Sequence, residues 1–286
     1  MRYEAPTTTK EAAALLAKAK GKAFVLAGGT DLLVRMRSGM TEPDLVVDIK
    51  RIPATQSINK TATGFRVGAG VSAAALGENT PLKKAWPGVV EAANLIGSDQ
   101  IQGRCTIVGN LCNASPAADA VPAMIAASAK AMIVGPKGRR TVAVERIVTA
   151  PGKTSLAKSE VIEAIVLPKA SAKTGDAYLR FIPRTEMDIA VCSAGVCITL
   201  GARGIVKSAR VVLGAVAPTA VLVTAAAKAI IGTKFDDDAL AKLTTACEAA
   251  CAPIDDKRGT VEFRTEVAGV LARRAAKIAY QRAGGK

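Results

Sequence analysis

The sequence contains no histidine, and this absence excludes more than any other feature of its composition. Sites that depend on an imidazole, as general base, as partner of a serine or cysteine nucleophile, or as metal or haem ligand, cannot be built from this chain. Aromatic residues are also scarce, because one Trp, three Tyr and five Phe make up only 3% of 286 residues. Few side chains are therefore available on which nucleic-acid bases could stack.

Acidic residues are in the minority, with 24 Asp and Glu against 39 Lys and Arg, a formal net charge of +15. Such a charge would suit a nucleic-acid backbone if the basic residues were clustered. They are dispersed, and the densest groups, Lys137-Gly138-Arg139-Arg140 and Arg273-Arg274, are short and lie beside apolar patterns. We therefore expect no nucleic-acid partner. The charge indicates a solvated surface, or a basic face for an acidic protein or an anionic cofactor.

Closely spaced thiols are missing as well. The six cysteines are Cys105, Cys112, Cys192, Cys197, Cys247 and Cys251, and no two of them form a C-x-x-C pair. Zinc ribbons and ferredoxin-type iron–sulfur sites need such pairs, so we expect no metal site in this chain. The first residues, Met1 to Pro6, show no secretory pattern. Reduced thiols and a cytoplasmic location are therefore expected.

One uncharged run, from Val211 to Ala227, reaches the lower limit of a membrane span. It contains Gly214, Pro218 and many small residues. This pattern favours a buried strand, a turn at 217–219 and a helix, and we expect no membrane span.

The spacing of apolar residues predicts a mixed first part and a second part of three strands followed by three helices. In the first part, helices are predicted at 9–20, 32–37 and 87–100, and strands at 23–27, 44–49, 64–70, 131–134, 140–144 and 161–167. A polar, linker-like stretch follows at 169–176. In the second part, strands are predicted at 177–182, 190–200 and 208–216, and helices at 222–231, 237–251 and 260–283.

Two glycine signals could indicate a phosphate site. Gly68-Ala69-Gly70-Val71-Ser72-Ala73 matches the G-x-G-x-x-A pattern of a dinucleotide fold, which needs a full-length helix and then a parallel strand. The helical pattern stops at Gly77, so a tight turn is favoured over a Rossmann unit. The second signal, Ala27-Gly28-Gly29-Thr30-Asp31, joins a buried strand to a helix. Successive N–H groups could turn inward there with no Cβ in the way, which suits a pyrophosphate.

A second polar segment, Thr106 to Asp119, lies between apolar helices. It is too polar and too rich in Gly and Asn for a core element, and small residues allow a close approach of its backbone. Thr106, Asn110 and Asp119 would supply directed polar groups. The alternative is an ordinary long loop with Asx turns.

AGGTDLLVRM (27–36) and TIVGNLCNASPAADAVPAM (106–124) together resemble the FAD-binding medium subunit of molybdenum hydroxylases, the xanthine dehydrogenase and aerobic carbon monoxide dehydrogenase family. Three further stretches fit: AYLRFIPRTEMDIAV (177–191), GAVAPTAV (214–221) and DDKRGTVEFRTEVAGVLARR (255–274). The resemblance implies an α+β protein. A two-lobed α/β FAD-binding domain of the p-cresol methylhydroxylase type would span 1–172, with lobes at 1–55 and 56–172. A C-terminal domain with a three-stranded antiparallel sheet and three helices would span 173–286.

The same resemblance implies the residues that hold FAD. They are Leu26, Ala27, Gly28, Gly29, Thr30, Asp31, Leu32, Ile96, Thr106, Gly109, Asn110, Asp119, Ile162, Arg180 and Ile189. Two family glycines around the second motif are replaced by Cys105 and Val108. If Val108 needs a positive φ, this turn would be strained.

As a member of that family, the chain would transfer electrons rather than transform a substrate. A small subunit with [2Fe-2S] clusters would supply electrons to its FAD, and a large molybdopterin subunit would oxidise the substrate, in a dimer of heterotrimers. NAD, a quinone or O₂ would accept the electrons. The alternative is a standalone FAD-dependent oxidoreductase of the same fold, which the absence of histidine and of an evident acid–base pair disfavours.

Overall fold

The computed structural model describes residues 1–285. It begins with a small parallel sheet in the order β1-β3-β2, with a helix in each connection. Its elements are β1 (Arg2–Glu4), α1 (Thr9–Lys18), β2 (Ala23–Leu26), α2 (Leu32–Arg37) and β3 (Leu45–Asp48). Helix α1 starts at a capping box in which Thr8 and Glu11 satisfy each other's backbone N–H groups. The central strand β3 is buried throughout, whereas β2 is an edge strand.

A second, antiparallel sheet has the order β4-β5-β10-β6-β7. This part of the chain contains β4 (Ile58–Thr61), β5 (Gly64–Gly68), α3 (Ala73–Glu78), α4 (Thr80–Ala85), α5 (Pro87–Asn94), α6 (Asp99–Gln102), α7 (Ile107–Asn113), α8 (Ala120–Ala126), β6 (Lys130–Gly135), β7 (Gly138–Ala143), β8 (Val148–Ala150), β9 (Lys153–Thr154) and β10 (Val161–Pro168). Because β5 is antiparallel to both of its neighbours, no βαβ unit follows Gly68. The G-x-G-x-x-A segment is therefore a turn, as favoured above.

The single helix predicted over 87–100 is wrong, because the chain forms two helices there, α5 and α6. Gly97 separates them with φ = +68°, a left-handed conformation that glycine adopts readily. The break turns Ile96 toward a cavity that is described below.

The last part of the chain is a meander in the order β11-β12-β13-β14 with three helices. Its elements are β11 (Thr174–Phe181), β12 (Cys192–Leu200), β13 (Val206–Gly214), β14 (Val221–Leu222), α9 (Thr224–Ile230), α10 (Asp237–Ala249) and α11 (Val261–Arg282). The two-residue strand β14 extends the three predicted strands. The predicted linker is wrong in its last three residues, since β11 already begins at Thr174. The polar side chains there have distant partners: the Thr174 hydroxyl bonds that of Thr199, and Asp176 accepts from the N–H of Val89.

Two apolar cores lie side by side, one around the first two sheets and one between the meander and its helices. They meet where α8 packs on β12, and Gly195 allows this approach because a Cβ there would lie 2.7 Å from the Pro122 carbonyl oxygen. Within residues 1–285, no helix has the length and apolar character needed to cross a membrane. The uncharged run 211–227 forms the end of β13, a connection with β14, and the start of α9.

Candidate functional site

A cavity of about 420 Å³ opens between the β2–α2 turn, the start of α7 and the segment 152–162. This volume falls within the range of small-molecule sites. Most of the predicted site residues line it: Leu26, Ala27, Gly28, Gly29, Thr30, Asp31, Leu32, Ile96, Thr106, Gly109, Asn110 and Ile162. Two segments that are far apart in sequence therefore share one cavity.

The β2–α2 turn presents backbone donors to this cavity. In the described chain, the backbone N–H groups of residues 28–32 donate to no protein acceptor. Gly29 has φ = +86°, and Asp31, which precedes α2, makes no side-chain cap. Unpaired N–H groups are rare unless a ligand or water takes them up, and a row of them forms a concavity for an anion. The turn is thus suited to a phosphate group.

The second motif is not the loop that its polarity predicts, because residues 107–113 form helix α7. The Thr106 hydroxyl caps this helix by accepting from the N–H of Gly109 over 2.9 Å. Ile107, Val108 and Leu111 pack into the core with the spacing of one helix face. Gly109 and Asn110 line the cavity, together with Thr106 and Val108. Capping and one buried face outweigh the local polarity of the segment.

The two motifs touch each other directly. The Asn113 amide donates to the Asp31 carboxylate over 3.3 Å. A Cβ added to Gly28 would overlap the carbonyl oxygen of Arg104, just before α7. Ligand access, the role predicted for this glycine, is therefore not its only role, since Gly28 also lets the two segments pack together.

Neither departure from the family pattern disturbs the site. Val108 is helical and is not among the residues with positive φ, so the expected strain is absent. Cys105 is buried, and burial raises the pKa of its thiol to about 11. The thiol is therefore protonated at neutral pH and is a packing group rather than a nucleophile.

One contact at the site was not predicted. The Lys50 ammonium lies 2.8 Å from the Asp48 carboxylate and donates to the Ala27 carbonyl over 3.3 Å. Asp48 is held in turn by the Tyr3 hydroxyl at 2.6 Å. Because β2 and β3 are parallel neighbours, Lys50, the second residue after β3, reaches the turn after β2. The predicted strand at 44–49, which ends just before Lys50, was the only sequence signal for this contact.

Three predicted site residues do not line the cavity: Asp119, Arg180 and Ile189. Asp119 and Arg180 form a buried ion pair over 2.8 Å, and the Tyr178 hydroxyl also donates to Asp119. Burial raises the pKa of the Asp119 carboxyl, and the Arg180 charge partly offsets this effect. Nε of Arg180 is buried without a partner. Ile189 is 52% exposed.

Comparison with known protein families identifies the family to which this chain belongs. Residues 1–170 match the model of the FAD binding domain in molybdopterin dehydrogenase, and residues 177–279 match the CO dehydrogenase flavoprotein C-terminal domain. The chain belongs to the FAD-binding subunits of molybdopterin dehydrogenases. The resemblance in the sequence is thereby confirmed, and FAD is the cofactor of this family. The donors of residues 28–32 fit its diphosphate.

Curated relatives cover almost the whole chain. The carbon monoxide dehydrogenase medium chain of Hydrogenophaga pseudoflava is 32% identical over 98% of this chain and 97% of the relative. The xanthine dehydrogenase FAD-binding subunit of Escherichia coli is 27% identical over 99% of this chain and 97% of the relative. This chain is accordingly an oxidoreductase subunit of the medium-chain type, related to subunits of multi-subunit dehydrogenases.

Solved structures with a similar fold belong to the same group of enzymes. A structure of the Hydrogenophaga pseudoflava carbon monoxide dehydrogenase that lacks the Mo-pyranopterin moiety superimposes with a TM-score of 0.94 and 33% identity, over 99% of this chain and 98% of that one. The reconstituted CO dehydrogenase from Oligotropha carboxidovorans superimposes with a TM-score of 0.93 and 33% identity, over the same shares of the two chains. The expected α+β architecture is confirmed.

Proposed function

We propose that this chain is the electron-transfer subunit of a heterotrimeric molybdenum hydroxylase. It would receive electrons from the [2Fe-2S] clusters of a small subunit and release them to NAD, a quinone or O₂. A large molybdopterin subunit would oxidise the substrate, and two heterotrimers would associate in the cytoplasm. The names of the relatives, medium chains and FAD-binding subunits of dehydrogenases, support this assignment.

The observation that carries the proposal is the row of unpaired N–H groups at residues 28–32 in a cavity shared with α7. We propose that these groups and the Thr30 hydroxyl bind the FAD diphosphate, together with Thr106, Gly109 and Asn110. Ile96 and Ile162 give the cavity apolar walls. Bound FAD supplies the redox chemistry. Asp119, Arg180 and Ile189, which do not line this cavity, remain proposed contacts of FAD.

The cavity offers few groups for acid–base catalysis: it has no imidazole and no ionised thiol, and of its two carboxyls, Asp31 and Glu160, only Asp31 has a pKa raised by burial. There is no histidine, and the Cys105 thiol has a pKa of about 11 because it is buried. Its carboxylates are engaged by donors: Asp31 accepts from Asn113, and Glu160 pairs with Arg140. The role of the protein at this site is therefore to bind and orient the cofactor. This role favours an electron-transfer subunit over a standalone oxidase.

The division of the chain is part of the proposal. A FAD-binding domain at 1–172, with lobes at 1–55 and 56–172, would be followed by a C-terminal domain at 173–286. The two apolar cores and the two matched family models support this division. Residue 286 lies outside the described residues.

Two preparations test the function. The chain expressed alone should bind one FAD, measured by absorbance after removal of free flavin, and should contain no iron or molybdenum. The native complex purified through this chain should contain all three. Colourless chain that cannot be reconstituted with FAD would refute the proposal, and so would substrate oxidation by the isolated flavoprotein at the rate of the complex.

A further inference from the structure

The peptide unit that joins Ala27 to Gly28 is held by a side chain that does not line the cavity. Its carbonyl oxygen accepts from the Lys50 ammonium over 3.3 Å. Ala27 and Gly28 both line the cavity, whereas Lys50 does not. A trans peptide unit is planar, and its C=O and N–H groups point in opposite directions. No peptide bond among the described residues is cis, so a carbonyl fixed on Lys50 also sets the direction of the Gly28 N–H.

Without the Lys50 contact, the orientation of this peptide unit would be only weakly determined. Gly28 has no Cβ, and glycine adopts positive and negative φ at similar cost. A rotated peptide unit would present the Ala27 carbonyl oxygen in place of the Gly28 N–H. An N–H group binds a phosphate oxygen, whereas a carbonyl oxygen carries the opposite partial charge and does not. The Gly28 N–H is one of the donors of residues 28–32 that have no protein acceptor, so its direction matters for an anion.

Lys50 is itself fixed by neighbours on β1 and β3. Its ammonium pairs with the Asp48 carboxylate at 2.8 Å, and the Tyr3 hydroxyl donates to the same carboxylate at 2.6 Å. Burial raises the pKa of the Asp48 carboxyl, but the bonds from Lys50 and Tyr3 outweigh this effect and bring the pKa below its usual value. The carboxylate is therefore charged at neutral pH and balances the charge of the ammonium. What Lys50 contributes to the turn is thus mainly orientation.

We infer that Lys50 is a positioning residue for the cofactor: it holds the Ala27 carbonyl so that the Gly28 N–H is presented to the diphosphate. The inference rests on the proposed function, since it assigns a role to a residue that contacts the turn through which FAD would bind. A direct contact of Lys50 with the diphosphate is disfavoured, because Lys50 does not line the cavity and is paired with Asp48.

Substitution of Lys50 tests this role in the full chain, from which FAD is removed and to which it is then returned by titration. Lys50→Met should weaken FAD binding about tenfold, the effect of losing one charge-assisted hydrogen bond. Lys50→Arg keeps a donor for Ala27 and should bind FAD like the unaltered chain. The matched control is Lys60→Met, which removes the same charge from an exposed residue of β4 that does not line the cavity. Equal FAD affinity of Lys50→Met and Lys60→Met would overturn the inference.

Two further variants separate orientation from stability and from charge. Lys50→Met leaves Asp48 buried without its charge partner, which destabilises the fold. The double variant Asp48→Asn/Lys50→Met should regain stability in urea denaturation but still bind FAD as weakly as Lys50→Met. Recovery of both properties would show that the pair acts only on the fold. Asp48→Asn alone leaves the ammonium unneutralised, and tighter FAD binding by this variant would indicate a direct charge contact instead.

The phosphorus-31 resonances of bound FAD give a readout that a purely structural role would not move. At saturating FAD, the resonances of the diphosphate should shift in Lys50→Met relative to the unaltered chain, but not in Lys50→Arg or Lys60→Met. Unshifted resonances in Lys50→Met would contradict the inference. Failure of the unaltered chain to bind FAD would instead refute the proposed function, so the two failures are distinguishable.

Discussion

Gly28 packs against the backbone of Arg104, so that a β-carbon on Gly28 would overlap the Arg104 carbonyl oxygen. The turn that follows β2 and the segment that precedes α7 are thereby held together at the wall of the cavity. Any side chain at position 28 must separate these two segments, which links the stability of the fold to the shape of the cofactor site.

Gly28→Ala is therefore expected to lower both stability and FAD affinity. Forcing an added methyl group into a packed interior costs about 1–3 kcal/mol, and here the obstacle is rigid backbone rather than a movable side chain. Urea denaturation and flavin titration measure the two effects. The matched control is Gly103→Ala, since a Cβ there meets nothing within 4 Å. Equal behaviour of the two variants would contradict the packing argument.

Gly109→Ala is expected to separate stability from binding. Gly109 lies inside helix α7 and lines the cavity, and its added Cβ would meet only the Thr106 hydroxyl oxygen, at 3.0 Å. Alanine favours a helix by about 1 kcal/mol over glycine. The variant should unfold at the same or higher urea concentration but bind FAD at least tenfold more weakly. Unchanged FAD affinity would exclude Gly109 from the binding surface.

Arg180→Met is expected to destabilise the protein, because it leaves Asp119 buried without its charge partner. Breaking a buried pair from one side costs about 3–5 kcal/mol, measured by urea denaturation. Adding Asp119→Asn should recover much of this loss, and an additive double variant would argue against a coupled pair.

If Arg180 also stabilises the reduced cofactor, the flavin midpoint potential of Arg180→Met should fall, and an unchanged potential would remove that role.

Asp176 is expected to make stability depend on pH. Burial raises the pKa of its carboxyl to about 7, although the Gly88 and Val89 N–H groups and the Arg282 charge oppose this shift. Between pH 4 and 7 the folded protein then binds more protons at this site than the unfolded chain, so the free energy of unfolding falls as pH rises. At pH 8 Asp176 therefore no longer adds to stability. The free energy of unfolding is then lower than at acidic pH by up to about 4 kcal/mol.

Asp176→Asn isolates this effect because the amide oxygen can still accept from Val89. Relative to the unaltered protein, the variant should gain more stability at pH 8 than at pH 5, measured by urea denaturation at both values. Glu262→Gln is the control, since it removes an exposed carboxylate in the first turn of α11 that is not among the groups acting on Asp176. An equal change at both pH values would show that Asp176 does not titrate in this range.

Local pattern predicted much of this molecule correctly. The bounds of α2 follow from the strand, the two glycines and the apolar residues 32–37, all within one short stretch. Helix α7 was missed because its stability comes from the Thr106 cap and from a face buried by distant residues. The Lys50 contact with Ala27 and the Asp119–Arg180 pair were not predicted as contacts for a related reason. Each joins segments whose proximity depends on how the strands are ordered.

The sequence by itself determined which chemistry this chain can perform. Without histidine, and with a glycine turn between a strand and a helix, it could offer backbone donors but no imidazole catalyst. Only the tertiary structure decided which donors stay unpaired, because a backbone N–H is satisfied or free according to what packs beside it. Folding left the N–H groups of residues 28–32 without protein acceptors, in a turn that lines one cavity together with α7.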